Sequence, residues 1–247
     1  MKILYKELNV DGFVLRGFLS EPDTSYDTVC VMLHGFTGHK NENNFMFKDL
    51  SRILCEEGIA TVRFDYRGSG DSDGYFADQN FNTVLKDAEA MYQFGKSLPN
   101  AKKVILLGFS MGGATASVLG VRHKDELYKL ILMSPAGCMP ELTENIFAMN
   151  KVIEPNMVDL GGFLISKEFY YSFMNVDLYK DIETYTGKVL ITQGLSDTAV
   201  DPRYTHKYFS LYPHAKYVLI EGAPHCYSKL TYRKPLFEEI VKFIREK

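Results

Sequence analysis

The chain has 247 residues, of which 46% are hydrophobic and 24% charged, a composition ordinary for a globular protein with a full core. The formal net charge is −3, and the lysines and arginines are scattered, which argues against nucleic acid or an anionic membrane surface as a partner. No apolar stretch reaches about 18 residues, so the sequence predicts no membrane span and no stable membrane association.

The cysteines and the N-terminus indicate the compartment. Cys30, Cys55, Cys138 and Cys226 are far apart and form no CxxC pair, so free thiols are the simplest interpretation. The segment "MKILYKELNVDGF" has no apolar region of the kind found in secretion signals. We therefore expect a cytoplasmic protein.

The predicted elements begin with a hairpin. Residues 4–10 and 13–20 alternate apolar and polar side chains around the turn signal Asp11-Gly12. After it, apolar strands alternate with amphipathic helices, which is typical of a parallel sheet covered by helices on both faces. The strands are "TVCVMLHG", "IATVRFDYRGSG", "KVILLGFS", "KLILMSPAG", "KVLITQG" and "KYVLIEGAPHC". The helices cover about residues 44–57, 81–97, 111–123, 203–211 and 234–246.

This alternation is interrupted between about residues 138 and 186, where Met, Phe and Tyr are frequent. The segment follows the C-terminal end of one strand and precedes the next strand. It should therefore lie at the carboxyl edge of the sheet, where open α/β sheets bind ligands. We predict a core of residues 1–137 and 187–247, with residues 138–186 as a lid or cap over the active site. A peripheral helical decoration is the alternative.

The stretch "VILLGFSMGGATAS" predicts a nucleophile at Ser110. A strand that ends in Gly-x-Ser-x-Gly and leads directly into a helix is typical of a nucleophile elbow, in which the serine occupies a strained turn and needs small neighbours. The pattern is short, and its position between an apolar strand and a helix is what gives it weight. A glycine-rich helix start used for close packing is the alternative.

A nucleophilic serine needs a histidine held by a carboxylate. Among the six histidines, His225 follows the last predicted strand and comes after Ser110, as the chain order serine, acid, histidine requires. The acid must lie between them, and "VLITQGLSDTAVDP" contains Asp197 and Asp201. Asp201 precedes Pro202 and is typical of a helix N-cap, so we assign Asp197 as the acid.

The stretch "LHGFTGHK" predicts the oxyanion hole. His34-Gly35 lets the chain turn close to the elbow, so that the backbone N–H of Phe36 can point at the same place as the N–H of Met111. A plain turn is the alternative.

Two further patterns are weak. In "DYRGSGDSDG" the glycine spacing differs from that of a dinucleotide-binding loop, no helix begins there, and aspartates would repel a pyrophosphate. The same aspartates lack the remaining ligands of a calcium loop. We predict a structural turn, no metal and no cofactor.

The ordered set "HGFTG", "FDYRGSGDSDG", "GFSMGG", "GLSDTAV" and "GAPHC" resembles the serine α/β-hydrolases over nearly the whole chain. Within them it looks most like the small bacterial cinnamoyl/feruloyl esterases and their esterase/lipase relatives. The resemblance implies an α/β-hydrolase fold, with a mostly parallel central sheet flanked by helices and a small lid or cap insertion. It also implies Ser110 as nucleophile, Asp197 and His225 as its partners, and Phe36 and Met111 as oxyanion donors.

The resemblance further implies an aromatic-lined pocket beneath the insertion. Our candidates for substrate contacts are His34 and Gly35 beside the elbow, and Leu164, Tyr170 and Tyr171 in the insertion. Leu164 stands where an aromatic residue is expected, and the chain has no tryptophan.

The sequence thus predicts a carboxylic-ester hydrolase that forms an acyl-enzyme, with aromatic (cinnamoyl- or feruloyl-type) or medium-chain acyl esters as substrates. An acylglycerol lipase, a thioesterase and a serine peptidase remain alternatives, with Glu141 and Glu144 as weak candidates for binding a peptidase's amine. A non-catalytic hydrolase-fold binding protein is a further alternative. A haloalkane dehalogenase is excluded because it needs a carboxylate at position 110. The sequence leaves the oligomeric state open, a homodimer included.

Overall fold

The computed structural model describes residues 1–174 and 176–246. Its strands are β1 (Lys2–Val10), β2 (Phe13–Glu21), β3 (Thr28–Leu33), β4 (Ala60–Phe64), β5 (Lys103–Phe109), β6 (Lys129–Met133), β7 (Val152–Glu154), β8 (Met157–Leu160), β9 (Phe163–Ser166), β10 (Lys188–Gly194) and β11 (Ala215–Ile220). Its α-helices are α1 (Met46–Glu56), α2 (Phe81–Ser97), α3 (Met111–Arg122), α4 (Met139–Met149), α5 (Lys167–Met174), α6 (Pro202–Leu211) and α7 (Leu230–Arg245).

The central sheet is open and has the order β1-β2-β4-β3-β5-β6-β10-β11. Only β2 runs against the other strands, because it pairs with both β1 and β4 in antiparallel fashion. The remaining neighbours are parallel, so the ends of β3, β5, β10 and β11 meet at one edge; for example, Leu33 pairs with Gly108 and Gly194 with Ile220. The predicted α/β-hydrolase fold is confirmed.

The core lies on both faces of this sheet. Side chains alternate along a strand, so Val29, Val31 and Leu33 of β3 join the hydrophobic cluster under α2 and α3, whereas Cys30 and Met32 join the cluster under α1 and α7. All four cysteines are free thiols. Within residues 1–174 and 176–246, no helix has the length and apolarity needed to cross a bilayer.

The closing helix begins earlier than the sequence indicates. We placed its start near residue 234, beside Pro235, but α7 begins at Leu230 and contains the proline. The extra first turn is held from outside the helix, since the guanidinium of Arg233 donates to the backbone carbonyls of Tyr227, Asn43 and Asn44 at 2.8–3.0 Å. Tertiary hydrogen bonds of this kind leave no local signal in the sequence.

The segment 138–186 has structure of its own. It contains α4, the antiparallel sheet β7-β8-β9 and α5, and it leaves the core after β6 and returns at β10. Its apolar residues Val158, Phe169 and Phe173 are buried in the same cluster as α2 and α3. We call residues 138–186 the cap.

Candidate active site

The turn between β5 and α3 holds Ser110 in a backbone conformation that side chains rarely adopt. Its φ is 56° and its ψ is −120°, and such a conformation persists only where the surrounding structure enforces it. The enforcing contacts are two backbone hydrogen bonds of 2.9 Å, from Ser110 N–H to the Met133 carbonyl and from Ala136 N–H to the Ser110 carbonyl. Gly112 faces the carbonyls of Leu33 and His34 so closely that a Cβ would overlap them.

Because of this close approach, a larger residue at Gly112 should destabilise the fold. A methyl group at Gly112→Ala would meet rigid backbone, so we expect a loss of about 1–3 kcal/mol or more in the free energy of unfolding, measured by urea denaturation. Gly120→Ala, on the same helix, is the matched control, because its methyl would meet a leucine side chain of Leu130 at 3.2 Å. Equal stability of the two variants would contradict this account of the turn.

The structure brings Ser110, His225 and Asp197 together at the carboxyl edge of the sheet. The Ser110 Oγ lies 3.0 Å from His225 Nε2, and His225 Nδ1 lies 2.7 Å from Asp197 Oδ2. A carboxylate only accepts hydrogen bonds, so Nδ1 carries the proton and Nε2 is free to accept from the serine hydroxyl. The ring of Phe109 packs on the imidazole at 4.8 Å between centroids. The three side chains therefore form one continuous relay of hydrogen bonds.

Asp197 is kept ionised by its partners. Burial by itself would raise the pKa of this carboxyl, but the hydrogen bond and charge of His225 and the backbone N–H groups of Val200 and Ala199 outweigh it and hold the pKa below its usual value. Both backbone N–H groups donate to Oδ1 at 2.9 Å. Gln193 donates its Nε2 to Oδ2 at 3.0 Å.

Gln193 is a site residue that our sequence reasoning missed. It is fully buried near the end of β10, in "KVLITQG", where every neighbouring strand position is also buried. An amide near the end of this strand, four residues before the assigned acid, was the available signal. The competing aspartate, Asp201, caps α6 by accepting the N–H of Arg203 at 2.9 Å, as predicted.

The loop after β3 lies beside the elbow. A Cβ on Gly35 would be 3.2 Å from the Cβ of Ser110, so the glycine allows the loop to approach the serine. Within the described part of the chain, the backbone N–H groups of Phe36 and Met111 donate to no protein acceptor. They are the two amides that the sequence analysis assigned to the oxyanion hole.

His34 supports this loop and is almost fully buried. It was a candidate substrate contact, but it is only 1% exposed, its Nδ1 donates to the Gly35 carbonyl at 2.9 Å, and its Nε2 accepts the N–H of Tyr66 at 3.1 Å. Burial lowers the pKa of His34 to about 4, so the imidazole stays neutral. The N–H and C=O of a trans peptide point in opposite directions. The Gly35 carbonyl and the N–H of Phe36 belong to one peptide. Because His34 holds the carbonyl toward its imidazole, the N–H of Phe36 points away from the imidazole.

A buried carboxyl, Glu42, lies within the same loop. It is 2% exposed, and its Oε1 accepts the N–H of Gly35 at 2.5 Å while its Oε2 accepts the N–H of Asn43 at 3.3 Å. Burial raises its pKa to about 7, although these two N–H groups and the charge of His225 oppose the rise. No pattern in the sequence had marked this residue.

The raised pKa of Glu42 has a testable effect on stability. The unfolded chain ionises this group from about pH 4.5, whereas the folded chain keeps the proton to about pH 7, so the wild type loses stability as the pH rises through this interval. The free energy of unfolding of Glu42→Gln, relative to that of the wild type, should therefore increase by an amount on the order of 3 kcal/mol between about pH 5 and pH 8. Urea denaturation checks this. The exposed Glu56→Gln should show no such trend, and a constant difference for Glu42→Gln would contradict the assignment.

Four phenylalanines connect the loop after β3 to the cap. The ring of Phe36 lies 5.0 Å from Phe169 and 5.5 Å from Phe76, and Phe76 lies 4.9 Å from Phe163, all between centroids. We call Phe36, Phe76, Phe163 and Phe169 the phenylalanine cluster. Phe76 follows the "GSGDSDG" turn, and neither it nor the two cap residues were among our candidates.

The cap residues that the sequence suggested as substrate contacts lie outside the phenylalanine cluster. Tyr170 packs against Phe147 of α4 at 5.7 Å and against Tyr171 at 5.3 Å, and half of Tyr171 is exposed to solvent. The structure thus places Tyr170 against α4 and Tyr171 beside Tyr170, and among the ring contacts of the described residues neither tyrosine meets the phenylalanine cluster. Leu164 is half-buried on β9, opposite Asp159.

The aspartates of the "GSGDSDG" turn form ion pairs with basic residues. Asp71 accepts from Lys40 Nζ at 2.5 Å, and Asp73 accepts from Arg16 Nη1 at 2.5 Å. Among the residues the structure describes, no group of three or more His, Cys, Asp or Glu is arranged to hold a metal ion.

A family model described as serine aminopeptidase, S33, matches residues 24–162, more than half of the chain. The chain belongs to this family of hydrolases. Among curated relatives of this S33 member, the AB hydrolase superfamily protein YisY of Bacillus subtilis is 32% identical over 142 residues, 56% of this chain and 49% of the relative. The monoacylglycerol lipase abhd6-B of Xenopus laevis is 30% identical over 133 residues, 50% of this chain and 35% of the relative. The chain thus spans a third to a half of the length of these relatives.

The similarity to solved structures extends over more of this S33 hydrolase than the similarity to the curated relatives. Est1E from Butyrivibrio proteoclasticus, solved with bound ferulic acid, superimposes with a TM-score of 0.87 and 26% identity over 97% of both chains. The protein is therefore an α/β-hydrolase close to esterases, as the resemblance in the sequence implied.

Proposed function

We propose that this protein is a carboxylic-ester hydrolase in which Ser110, His225 and Asp197 act as a catalytic triad through an acyl-enzyme intermediate. The observation that carries the proposal is the relay of 3.0 Å and 2.7 Å hydrogen bonds that joins the strained serine to the histidine and the histidine to an ionised aspartate. The geometry directs Nδ1 of His225 to the aspartate and Nε2 to the serine hydroxyl, which is the arrangement that this chemistry needs.

The first half of the reaction acylates the serine. The Ser110 Oγ attacks the ester carbonyl while His225 Nε2 takes its proton, and Asp197 stabilises the imidazolium that forms. The tetrahedral intermediate then collapses, and His225 gives the proton to the leaving alcohol. In the second half, His225 takes a proton from water, the resulting hydroxide attacks the acyl group, and Ser110 recovers its proton as the acid leaves.

The negative oxygen of both tetrahedral intermediates needs donors. The N–H groups of Phe36 and Met111 are unpaired within the described residues and lie on the two turns that meet at Ser110. One such donor is typically worth about 3–4 kcal/mol of barrier. Because both donors are backbone groups, the shape of the loop decides their effect.

For the substrate we propose an aromatic or medium-chain acyl ester, with the cap serving as a lid over the acyl group. The phenylalanine cluster joins the loop after β3 to the cap, and we infer that it supplies the apolar surface against which the acyl group packs. The ferulic acid bound to Est1E, a protein of closely similar fold, supports the aromatic choice.

The acylglycerol lipase and thioesterase alternatives use the same three residues and differ only in the pocket. The aminopeptidase alternative, suggested by the description of the family, needs a free carboxylate for the substrate's amine. Glu141 is bound to Arg203 and to the hydroxyl of Tyr204, and Glu144 is exposed on α4. The contacts of Glu141 argue against it as the carboxylate that binds an amine, and the unbroken relay favours an enzyme over a binding protein.

A substrate panel tests the proposal. It consists of p-nitrophenyl acetate, butyrate and octanoate, methyl ferulate, methyl cinnamate, acyl-coenzyme A and amino-acid p-nitroanilides. We expect kcat/KM for the aromatic or medium-chain esters to exceed that for acetate by about tenfold or more, since each buried methylene contributes about 0.8 kcal/mol. Activity confined to acetate would contradict the acyl preference, and faster hydrolysis of the anilides would favour a peptidase.

A further inference from the structure

The carboxyl of Glu42 is buried beside the proposed catalytic residues, yet the mechanism above gives it no part. Within the described ranges it forms no ion pair with a lysine or arginine, and Lys40 of the same loop pairs with other carboxylates. Burying such a group without a cation is costly unless its hydrogen bonds are satisfied. Its carboxyl oxygens accept hydrogen bonds from backbone N–H groups, and the shortest of these bonds, from Gly35, is 2.5 Å.

The bond to Gly35 fixes the peptide that precedes the oxyanion donor. Glu42 holds the N–H of Gly35, while the carbonyl of Gly35 accepts from His34 Nδ1 at 2.9 Å and from the N–H of Gly38 at 3.1 Å. Both peptide units that flank Gly35 are thereby anchored. A glycine has more backbone freedom than other residues, so without these anchors the following N–H, that of Phe36, would sample other directions.

The side chain of Glu42 also fills the inside of the loop. A Cβ on Gly38 would come within 2.9 Å of Glu42 Oε1, and one on Gly35 within 3.5 Å of the same oxygen. Glu42 itself has a φ of 56°. The loop therefore encloses this carboxyl, and the shape of the loop depends on where the carboxyl lies.

We propose that Glu42 is a positioning residue of the oxyanion hole, which holds the Gly35 peptide so that the N–H of Phe36 stays directed at the reacting oxygen. The inference rests on the proposed ester hydrolysis at Ser110. Glu42 touches no reacting atom and acts through the loop, so its removal should weaken binding of the transition state more than binding of the ester.

The ionised form of Glu42 is the better anchor. A carboxylate accepts an N–H bond roughly twice as strongly as a neutral acid. The titratable groups that face it are His225 and Cys226 from the loop after β11 and Tyr66 from the loop after β4. The positive charge of His225 lowers the pKa of Glu42, and by the same interaction the Glu42 carboxylate stabilises the imidazolium that forms during catalysis. Activity should therefore rise as Glu42 loses its proton.

The test compares Glu42→Gln with Glu56→Gln and the wild type. Glutamine keeps the size and one acceptor oxygen but removes the charge, and Glu56 is an exposed carboxylate on α1 that makes the same change in net charge. The assay uses p-nitrophenyl butyrate, with active sites counted by fluorophosphonate titration. The probe of the oxyanion hole is the reversible inhibitor 1,1,1-trifluoro-4-phenylbutan-2-one, whose carbonyl carbon bonds to the serine Oγ while its oxygen becomes the anion.

For Glu42→Gln we expect kcat per active site to fall about 10- to 100-fold with KM nearly unchanged, less than the 10²- to 10³-fold loss typical of removing a donor. The inhibition constant of the ketone should rise by the same factor as kcat/KM falls. The part of the pH dependence of activity that follows the charge of Glu42 should be lost in this variant. Glu56→Gln should match the wild type throughout.

Unchanged kcat, ketone affinity and pH profile in Glu42→Gln, beside an active wild type, would overturn the inference and leave the proposed function intact. A fall in titratable sites alone, with normal kcat per site, would show a merely structural role and would also overturn it. An inactive wild type that reacts with neither the fluorophosphonate nor the ketone would overturn the proposed function and this inference with it.

Discussion

Replacing Ser110 by alanine should lower ester hydrolysis by about four to six orders of magnitude and abolish covalent labelling by a fluorophosphonate probe. The loss is expected to be this large because the hydroxyl is the only group in the relay that forms a bond to the substrate. His225 and the backbone N–H groups would remain in place and leave a small residual rate. Steady-state hydrolysis of p-nitrophenyl butyrate and fluorescent gel labelling measure the two effects.

Ser117→Ala is the matched control for this variant. Ser117 is also a buried serine of α3, but its Oγ contacts the hydroxyl of Tyr212 at 2.6 Å, away from the elbow. It should keep its activity per folded molecule. Labelling that survives in Ser110→Ala, with folding verified by circular dichroism, would contradict the assignment of the nucleophile.

Replacing Asp197 by asparagine should lower kcat by about 10⁴-fold at neutral pH. The carboxylate now accepts the Nδ1–H of His225 at 2.7 Å. An amide would present either an N–H donor or a weaker acceptor there, so the imidazole would no longer be held with Nε2 free to take the serine proton. Neither would the variant stabilise the imidazolium by charge. Stopped-flow measurement of acylation, at saturating p-nitrophenyl butyrate, isolates this step.

Asp201→Asn is the control from the same loop. Asp201 accepts the N–H of Arg203 and caps α6, so its replacement touches a helix end and leaves the relay intact. We expect a stability loss of no more than about 1 kcal/mol and nearly normal kcat, because asparagine is itself a good N-cap. If instead Asp201→Asn were the inactive variant, the acid would have been assigned to the wrong aspartate.

The core of the fold follows from patterns that are local in the sequence. Apolar runs such as "VILLGF" are buried on both faces of the sheet, and the alternation of β1 and β2 around Asp11-Gly12 is a hairpin in the structure. α2 spans Phe81–Ser97, the range that its periodicity predicts. Because the strands are parallel, the order of elements also places the segments after β5, β10 and β11 at one edge.

The cap was less predictable for a physical reason. Its strands are short, and β7 is exposed along its whole length, so its sequence shows no alternation. The contacts that join the cap to the core are between rings far apart in the chain, such as Phe36 with Phe169 and Phe76 with Phe163. A pattern in one sequence shows which residues are apolar but not which of them meet.

The second layer of the site was missed for the same reason. Gln193 and Glu42 are buried polar residues whose partners, Asp197 and the N–H of Gly35, become visible only when the chain is folded. His34 is a candidate for substrate contact in the sequence, and in the structure it is bonded to the Gly35 carbonyl and the Tyr66 N–H, which only the folded chain brings to it. Motifs identify groups that react, whereas the groups that orient them depend on tertiary contacts.

Trapping the acyl-enzyme tests the central claim most directly. The protein is mixed with p-nitrophenyl butyrate, quenched in acid within the first turnovers and digested, and the peptides are measured by mass spectrometry. We predict a burst of p-nitrophenol and a butyryl group on the peptide that contains Ser110, with fragment ions placing it on that residue. Turnover without any acylated peptide, or a butyryl group on a different residue, would contradict the account.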